Sequence, residues 1–499
     1  MEADMFDFEK YSSARFYVAP PVEKVIEFSV DSIDVENISK VLSLAVDVKC
    51  ESAEAYSGYA EVTGRANFRL IYLDKENTAK GVDYNADFTA RVDGEWQEGD
   101  NVTAKIHVEE AEVKADDTLM LTAVLEIVAG STRREEVELL TTAQDCYTSK
   151  KATKLPTFIT QKAWTAEYFD EANVGGEIDG VLSINAVATV KSAVATENGA
   201  KVASTLYAIV AYVKDGEITA QNFEIPLEDE LNLDGVNEGD ILFVSPSVKS
   251  AKVVLTGVTG DNVLRIEGEV AYKIQAYRTS EIETIDDIFM LSNELVVRRD
   301  KTRQKTLASR EYLAETISGI ALLGDNRPVA TGVASLPYAR GYVAKTYVND
   351  DGEVIAEGVV NTDIIYTDEN GYNSVRTEIP FSIMLGKAEE GIEYSAECVV
   401  TGISAKVRRE REFEIDVNLA IALTKYKENE CEYIVGVELG EERQKNTSAL
   451  SLYVAGDGEG MFDVCKALYA MPDDILAQNP ELTFPTKEGD EVVYFRQLG

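Results

Sequence analysis

Apolar and polar residues alternate with period two through long stretches of this chain. Phe413, Ile415, Val417, Leu419, Ile421 and Leu423 share one parity. So do Leu264, Ile266, Val270, Tyr272 and Ile274, and Leu119, Leu121, Leu125 and Ile127. A strand sends successive side chains to opposite faces, so this pattern predicts antiparallel strands with one buried face. The stretches between, roughly 142–175 and 284–330, alternate less cleanly. Arg298–Leu313 fits a strand or a helix, and extended structure is the preferred reading.

The pattern recurs. Asp4-Met5-Phe6, Asp145-Cys146-Tyr147 and Asp287-Ile288-Phe289 are spaced by 141 and 142 residues. Each is followed by an apolar strand ending in Tyr72, Tyr212 or Tyr366. Gly58, Gly199 and Gly352 precede those tyrosines. Phe88, Leu227 and Phe381 come after them, and then the turns Gly99-Asp100, Gly239-Asp240 and Gly391-Ile392. Agreement in register implies duplication. The predicted fold class is mainly β. Three tandem antiparallel β-sandwich-like repeats (1–141, 142–283 and 284–446) precede a small α+β domain at 447–499.

That last region changes period. Leu452–Ala455 reads as a strand halted by Gly456-Asp457, and Phe462, Cys465, Leu468 and Tyr469 recur at helical spacing. Pro472 suits the first turn of a second helix, with Asp473 and Asp474 at its positive end. Asn479 is predicted to close it in a left-handed conformation before Pro480, and Val492–Phe495 returns as a strand.

Strand, Gly-Asp, aromatic helix, Leu476-x-x-Asn479-Pro480 and a final strand resemble the LysM domain. Phe462 stands where that family has tryptophan, Val464 where it has isoleucine, and Cys465 where it has alanine. The resemblance implies a groove for N-acetylglucosamine glycans between Gly456–Met461 and Asn479–Phe484. The acidic, glycine-rich rim at 456–460 predicts weak glycan binding at most. Glu378-Ile379-Pro380-Phe381, after a Tyr-ended strand and a Gly turn, resembles the SPOCS domain of spore-coat morphogenesis proteins. The first copy departs most, with Asp87-Phe88-Thr89 at that place.

A net charge of −41 disfavours nucleic acid and anionic membrane as partners. Cys50, Cys146, Cys398, Cys431 and Cys465 are widely spaced and odd in number, and read as reduced, buried small hydrophobes. Met1–Asp7 has neither a basic nor an apolar segment typical of a secretory signal, so a cytoplasmic location is expected. The single histidine, His107, sits between Lys105 and Glu109 on an expected solvent face. Without a histidine cluster or paired cysteines, zinc sites and His-dependent nucleophiles are excluded within one chain. Asp116-Asp117, Asp286-Asp287, Asp350-Asp351 and Asp473-Asp474 read as turns, repeat markers or helix starts. No catalytic residue, metal or cofactor is expected.

The two resemblances together imply a non-enzymatic scaffold of spore envelope assembly, in the mother-cell cytoplasm at the forespore surface. It would bind the coat morphogenetic ATPase, and other coat proteins, through the LysM-like face. The residues assigned to that face are Gly456, Asp457, Phe462, Tyr469, Ile475, Leu476, Asn479 and Tyr494. Phe462 and Leu476 read equally well as core. Two other readings stay open: a cell-wall glycan-binding protein, and a glycosidase with a paired carboxylate.

Overall fold

Long alternating strands need a second apolar surface to cover their buried faces, and each group of strands in this chain supplies one. The computed structural model describes residues 5–30, 37–115, 118–258, 261–443 and 449–496. These are mainly β, and every pairing among them is antiparallel.

The first block holds β1 (Phe6–Val18), β2 (Val22–Val30), β3 (Ile38–Tyr56), β4 (Tyr59–Asp74), β5 (Ala79–Asp93), β6 (Asn101–Ala115) and β7 (Leu119–Ala143). One sheet runs β3-β4-β5; in the other, β1, β2 and β6 all pair with β7. Phe68, Leu70 and Val92 of the first sheet share a core with Leu121, Leu125 and Ile127 of the second.

The second block repeats the plan. It comprises β8 (Tyr147–Asn173), β9 (Ile178–Thr196), β10 (Gly199–Lys214), β11 (Glu217–Asn232), β12 (Ile241–Val258) and β13 (Asp261–Phe289). Its sheets are β9-β10-β11 and β8-β13-β12, around Leu206, Val210, Leu264, Ile266 and Ile274.

The third comprises β14 (Asn293–Leu322), β15 (Gly332–Ser335), β16 (Ala339–Val348), β17 (Glu353–Asp368), β18 (Gly371–Lys387), β19 (Ile392–Arg409) and β20 (Glu412–Glu442). Here β15, β16 and β18 surround β17, and β14-β20-β19 faces them. Phe413, Ile415, Val417, Leu419, Ile421 and Leu423 are all buried, at most 2% exposed. Arg298–Leu313 is strand throughout.

One small residue under a ring is a feature that the first and third blocks have in common. Gly64 pairs with Phe88, and Gly358 with Phe381. A Cβ at either glycine would lie 2.6 or 2.5 Å from the ring. The second block has Ser204 opposite Leu227, and its hydroxyl bonds the Tyr272 hydroxyl at 2.6 Å. Asp100 and Asp240 each pair with an arginine, Arg133 and Arg278, at 2.7 Å. The third block has Ile392 after its turn glycine and lacks that carboxylate.

Several expectations are corrected. Gly58 and Gly352 turn with positive φ, but in the second block Asn198, not Gly199, takes that conformation (φ 55°). Asparagine tolerates that conformation better than most residues, and its Oδ1 here accepts the N–H of Gly235 from the distant loop after β11. Phe289 ends β13 opposite Tyr147 and does not open β14, and the 283/284 boundary falls inside β13. The 446/447 boundary, Asp4, Asp116-Asp117 and the Cys431 side chain lie outside the described residues. Cys50 is exposed rather than buried; Cys146 and Cys398 are half-buried and Cys465 is buried.

The blocks also bind one another. Leu42 and Ile71 of the first, Leu182 and Val213 of the second and Ile365 of the third form one buried cluster. Asp363 accepts from Ser43 Oγ at 2.8 Å and from Arg376, whose guanidinium also reaches the Leu44 and Ala111 carbonyls. The Tyr372 hydroxyl accepts from Ile218 N–H at 2.9 Å. His107 is not a solvent-facing residue. Its ring stacks on Tyr342 of the third block at 3.8 Å, because a second block covers the face that alternation assigned to water.

Beyond its two-sheet body each block extends a two-stranded ribbon. These are β1 with the end of β7, the start of β8 with the end of β13, and the start of β14 with the end of β20. The three ribbons share Val137, Leu139, Leu155 and Tyr433 in one cluster. A second cluster holds Leu140, Ile285, Ile288 and Ile434.

Leu419→Asp would place an unpaired carboxylate in the third core and should destabilise by several kcal/mol. Asn418→Asp, on the exposed face, should change stability by no more than about 0.5 kcal/mol. Denaturant titration of both compares them directly, and equal losses would contradict the two-faced strand.

Burial beside Tyr342 and the Arg340 guanidinium pushes the His107 imidazole down to about 4 from 6.5. The packed form is therefore neutral. Its contribution is whole above pH 6.5 and is lost as pH falls through about 4. Melting curves across that window should show the gap between wild type and His107→Gln narrowing on acidification.

Candidate docking site

The C-terminal segment folds as β21 (Leu450–Val454), α1 (Met461–Leu468), α2 (Pro472–Gln478) and β22 (Glu491–Phe495), with β21 and β22 paired. Asp463 starts α1 by accepting the Gly460 N–H at 2.8 Å. Val464, Cys465 and Leu468 form its buried stripe, and burial pushes the Cys465 thiol up to about 11. Tyr469 ends α1 in the left-handed region (φ 47°). Pro472 opens α2 with Asp473 and Asp474 in its first turn.

Asn479 is not left-handed (φ −130°) and closes α2 with its side chain instead. Its Nδ2 donates to the Ile475 carbonyl at 2.9 Å and to the Val493 carbonyl at 2.7 Å, while its Oδ1 accepts Val493 N–H at 2.8 Å. Gln478 does the same for Phe495, accepting its N–H at 2.6 Å and donating to its carbonyl at 3.2 Å. Two side chains thus cover the free edge of β22, where a third strand would otherwise add.

The loop 456–460 is pinned rather than loose. Tyr453 donates to Glu459 at 2.8 Å, which raises the tyrosine's pKa. Thr486 joins the loop to the segment after α2. Its hydroxyl donates to the Gly456 carbonyl at 2.8 Å, and its N–H to the Glu459 carbonyl at 2.9 Å.

The eight assigned residues do not share one face. Ile475 is fully buried in the segment's own core and unavailable to a partner. Phe462 and Tyr469 turn to Phe289 at the tip of the second ribbon, with ring centroids 5.3 and 6.1 Å away. Asn479 is spent on β22. Gly456 and Asp457 lie on the pinned loop. Leu476 is exposed, and Tyr494 is half-buried beside Arg496. The core also takes in Phe289, with Tyr147 and Leu291 against it, so it is completed by the ribbon.

Another surface was not singled out from sequence. Leu450, Leu452, Val454 and Phe495 are 52–59% exposed. Register places Leu450 opposite Phe495 and Leu452 opposite Val493, on the sheet face away from the helices. The signal was present in the alternation Leu450-Ser451-Leu452-Tyr453-Val454, whose other parity carries Tyr453 into the core.

Asn479→Ala removes three hydrogen bonds and strips Val493 of its edge partner, a loss of about 1–3 kcal/mol. Exposed Leu476→Ser should cost no more than about 0.5 kcal/mol. Hydrogen exchange at Val493 distinguishes them, since only the first variant should lose protection there.

Residues 37–116 and 339–408 match the family model described as SipL, SPOCS domain. No curated protein matches the chain. The first stretch spans β3 to β6 and the second β16 to β19, the same strands in the order of their blocks. Over these two stretches the chain is similar to the SipL SPOCS domain, a likeness that fits a sporulation-related role.

Proposed function

We propose that this chain is a non-enzymatic scaffold of spore envelope assembly, similar to SipL and, in its order of modules, to SpoVID. Each two-sheet block is one SPOCS-like repeat, and the second block carries the same unit at β9 to β12. The strand-helix-helix-strand segment is a LysM-like docking module. It engages the coat morphogenetic ATPase at the forespore surface in the mother-cell cytoplasm.

The observation that carries this reading is the placing of the two family matches. They fall on equivalent strands of two blocks, while the C-terminal segment presents an apolar sheet face beyond them. An exposed stripe of Leu450, Leu452, Val454 and Phe495 on so acidic a chain suits protein contact. The docking face is accordingly assigned to this stripe; Leu476 on α2 and Tyr494 on the core side of β22 fall outside it. A glycan reading is supported less well, because Thr486 and Tyr453 already occupy the Gly456 carbonyl and the Glu459 carboxylate of loop 456–460.

Leu452→Asp sits on an exposed strand position and should leave the melting temperature within a few degrees of wild type. It should weaken binding of the purified coat ATPase at least tenfold, a loss of about 1.4 kcal/mol. Unchanged affinity would remove the docking face from this stripe. Calorimetry with chitin oligomers should show no saturable heat; micromolar binding, about −8 kcal/mol, would favour the cell-wall reading.

A further inference from the structure

A cleft of about 240 Å³ lies where the second and third ribbons meet α1. Three cations line it, Arg299, Arg443 and Lys466, in a chain whose net charge is −41. Arg299 and Lys466 converge on one carboxylate, Asp287, and Arg299 also lies 3.9 Å from Glu432. Arg443 is different. Among the described residues no carboxylate pairs with it, and its Nε is buried without an acceptor. The five residues that follow it, Gln444-Lys445-Asn446-Thr447-Ser448, contain no acid.

What holds Arg443 is an aromatic face: its guanidinium carbon lies 3.4 Å from the centre of the Tyr469 ring. Stacking satisfies the flat side of a guanidinium and leaves its in-plane N–H groups to be matched by an acceptor. A half-buried cation without a counter-charge is costly, and an anion seated beside it recovers that cost. The remaining walls, Ile288, Phe289, Leu295 and Val297, are apolar. Inorganic anions have no use for such walls.

We propose that this cleft binds a carboxylate carried on an apolar group, as at the C-terminus of a peptide ending in leucine, isoleucine or valine. The carboxylate meets the Arg443 fork and Lys466, and the aliphatic side chain lies against Leu295 and Val297. The occupant then touches the ribbon tips and α1 together. This site is separate from the β21–β22 face and does not depend on the docking assignment.

Saturation-transfer NMR on the full-length protein with N-acetyl-leucine tests the proposal, using N-acetyl-leucinamide and inorganic phosphate as comparators at matched ionic strength. N-acetyl-leucine should bind saturably and at least tenfold more tightly than either comparator. Arg443→Gln should reduce its affinity at least tenfold. Lys466→Gln, an independent variant on the other wall, should reduce it several-fold if the first variant misfolds. Equal binding of acid and amide, tighter binding of phosphate, or unchanged affinity in a folded variant would overturn the proposal.

Discussion

The long strands of each block carry one continuous apolar face, and that face has to be covered twice. Inside a block the opposing sheet covers it, as Phe68 and Leu70 cover Leu121 and Leu125. Beyond the sheet the same strands run on as ribbons, and a two-stranded ribbon alone in water is marginal. Leu139, Leu155 and Tyr433 come from three different ribbons and bury one another. Much of the architecture follows from that second covering. It draws on ribbons from all three blocks, and it brings their ends to one place.

The C-terminal segment exploits that meeting point. At about fifty residues it is near the lower limit for a self-sufficient core. Its core borrows Phe289, which stands at the end of β13, with Tyr147 stacked on that ring at 5.2 Å. The repeat marker around Phe289 thus serves the segment beyond its own block. Aromatic residues that look like binding candidates, Phe462 and Tyr469, are occupied by this attachment. The surface left over is the opposite sheet face, whose apolar residues Leu450, Leu452, Val454 and Phe495 are exposed among the described residues.

Electrostatics follows the same geography. Carboxylates dominate the surface, and most ion pairs are exposed and contribute little. The exceptions include Asp100–Arg133 and Asp240–Arg278 inside their blocks, and others where blocks touch. Asp363 is buried and bound by Arg376 and Ser43 from two blocks, and His107 is kept neutral under Tyr342. At the ribbon tips Asp287 binds Arg299 and Lys466, while Arg443 beside them stacks on Tyr469 with no carboxylate partner among the described residues.

Period-two alternation by itself marked the cleanest strands and their buried faces, as at Phe413–Leu423, and the spacing of landmarks such as Phe88, Leu227 and Phe381 showed their recurrence. It could do so because side-chain parity is a local property of extended backbone. The strand-helix-helix-strand order of the last fifty residues was equally legible, from its turns, its Pro472 start and its helical spacing. Only the tertiary structure decided what meets those faces. Alternation separates in from out for one sheet, but it cannot say that Tyr342 from another block lies over His107. Nor can it say that Phe462 and Tyr469 meet the Phe289 ring of the second block. Asn479 shows the same limit: its residue type suited a helix end, but its hydrogen bonds are set by β22, fourteen residues further on. Contacts between distant segments depend on where the whole chain brings them, and no local pattern encodes that.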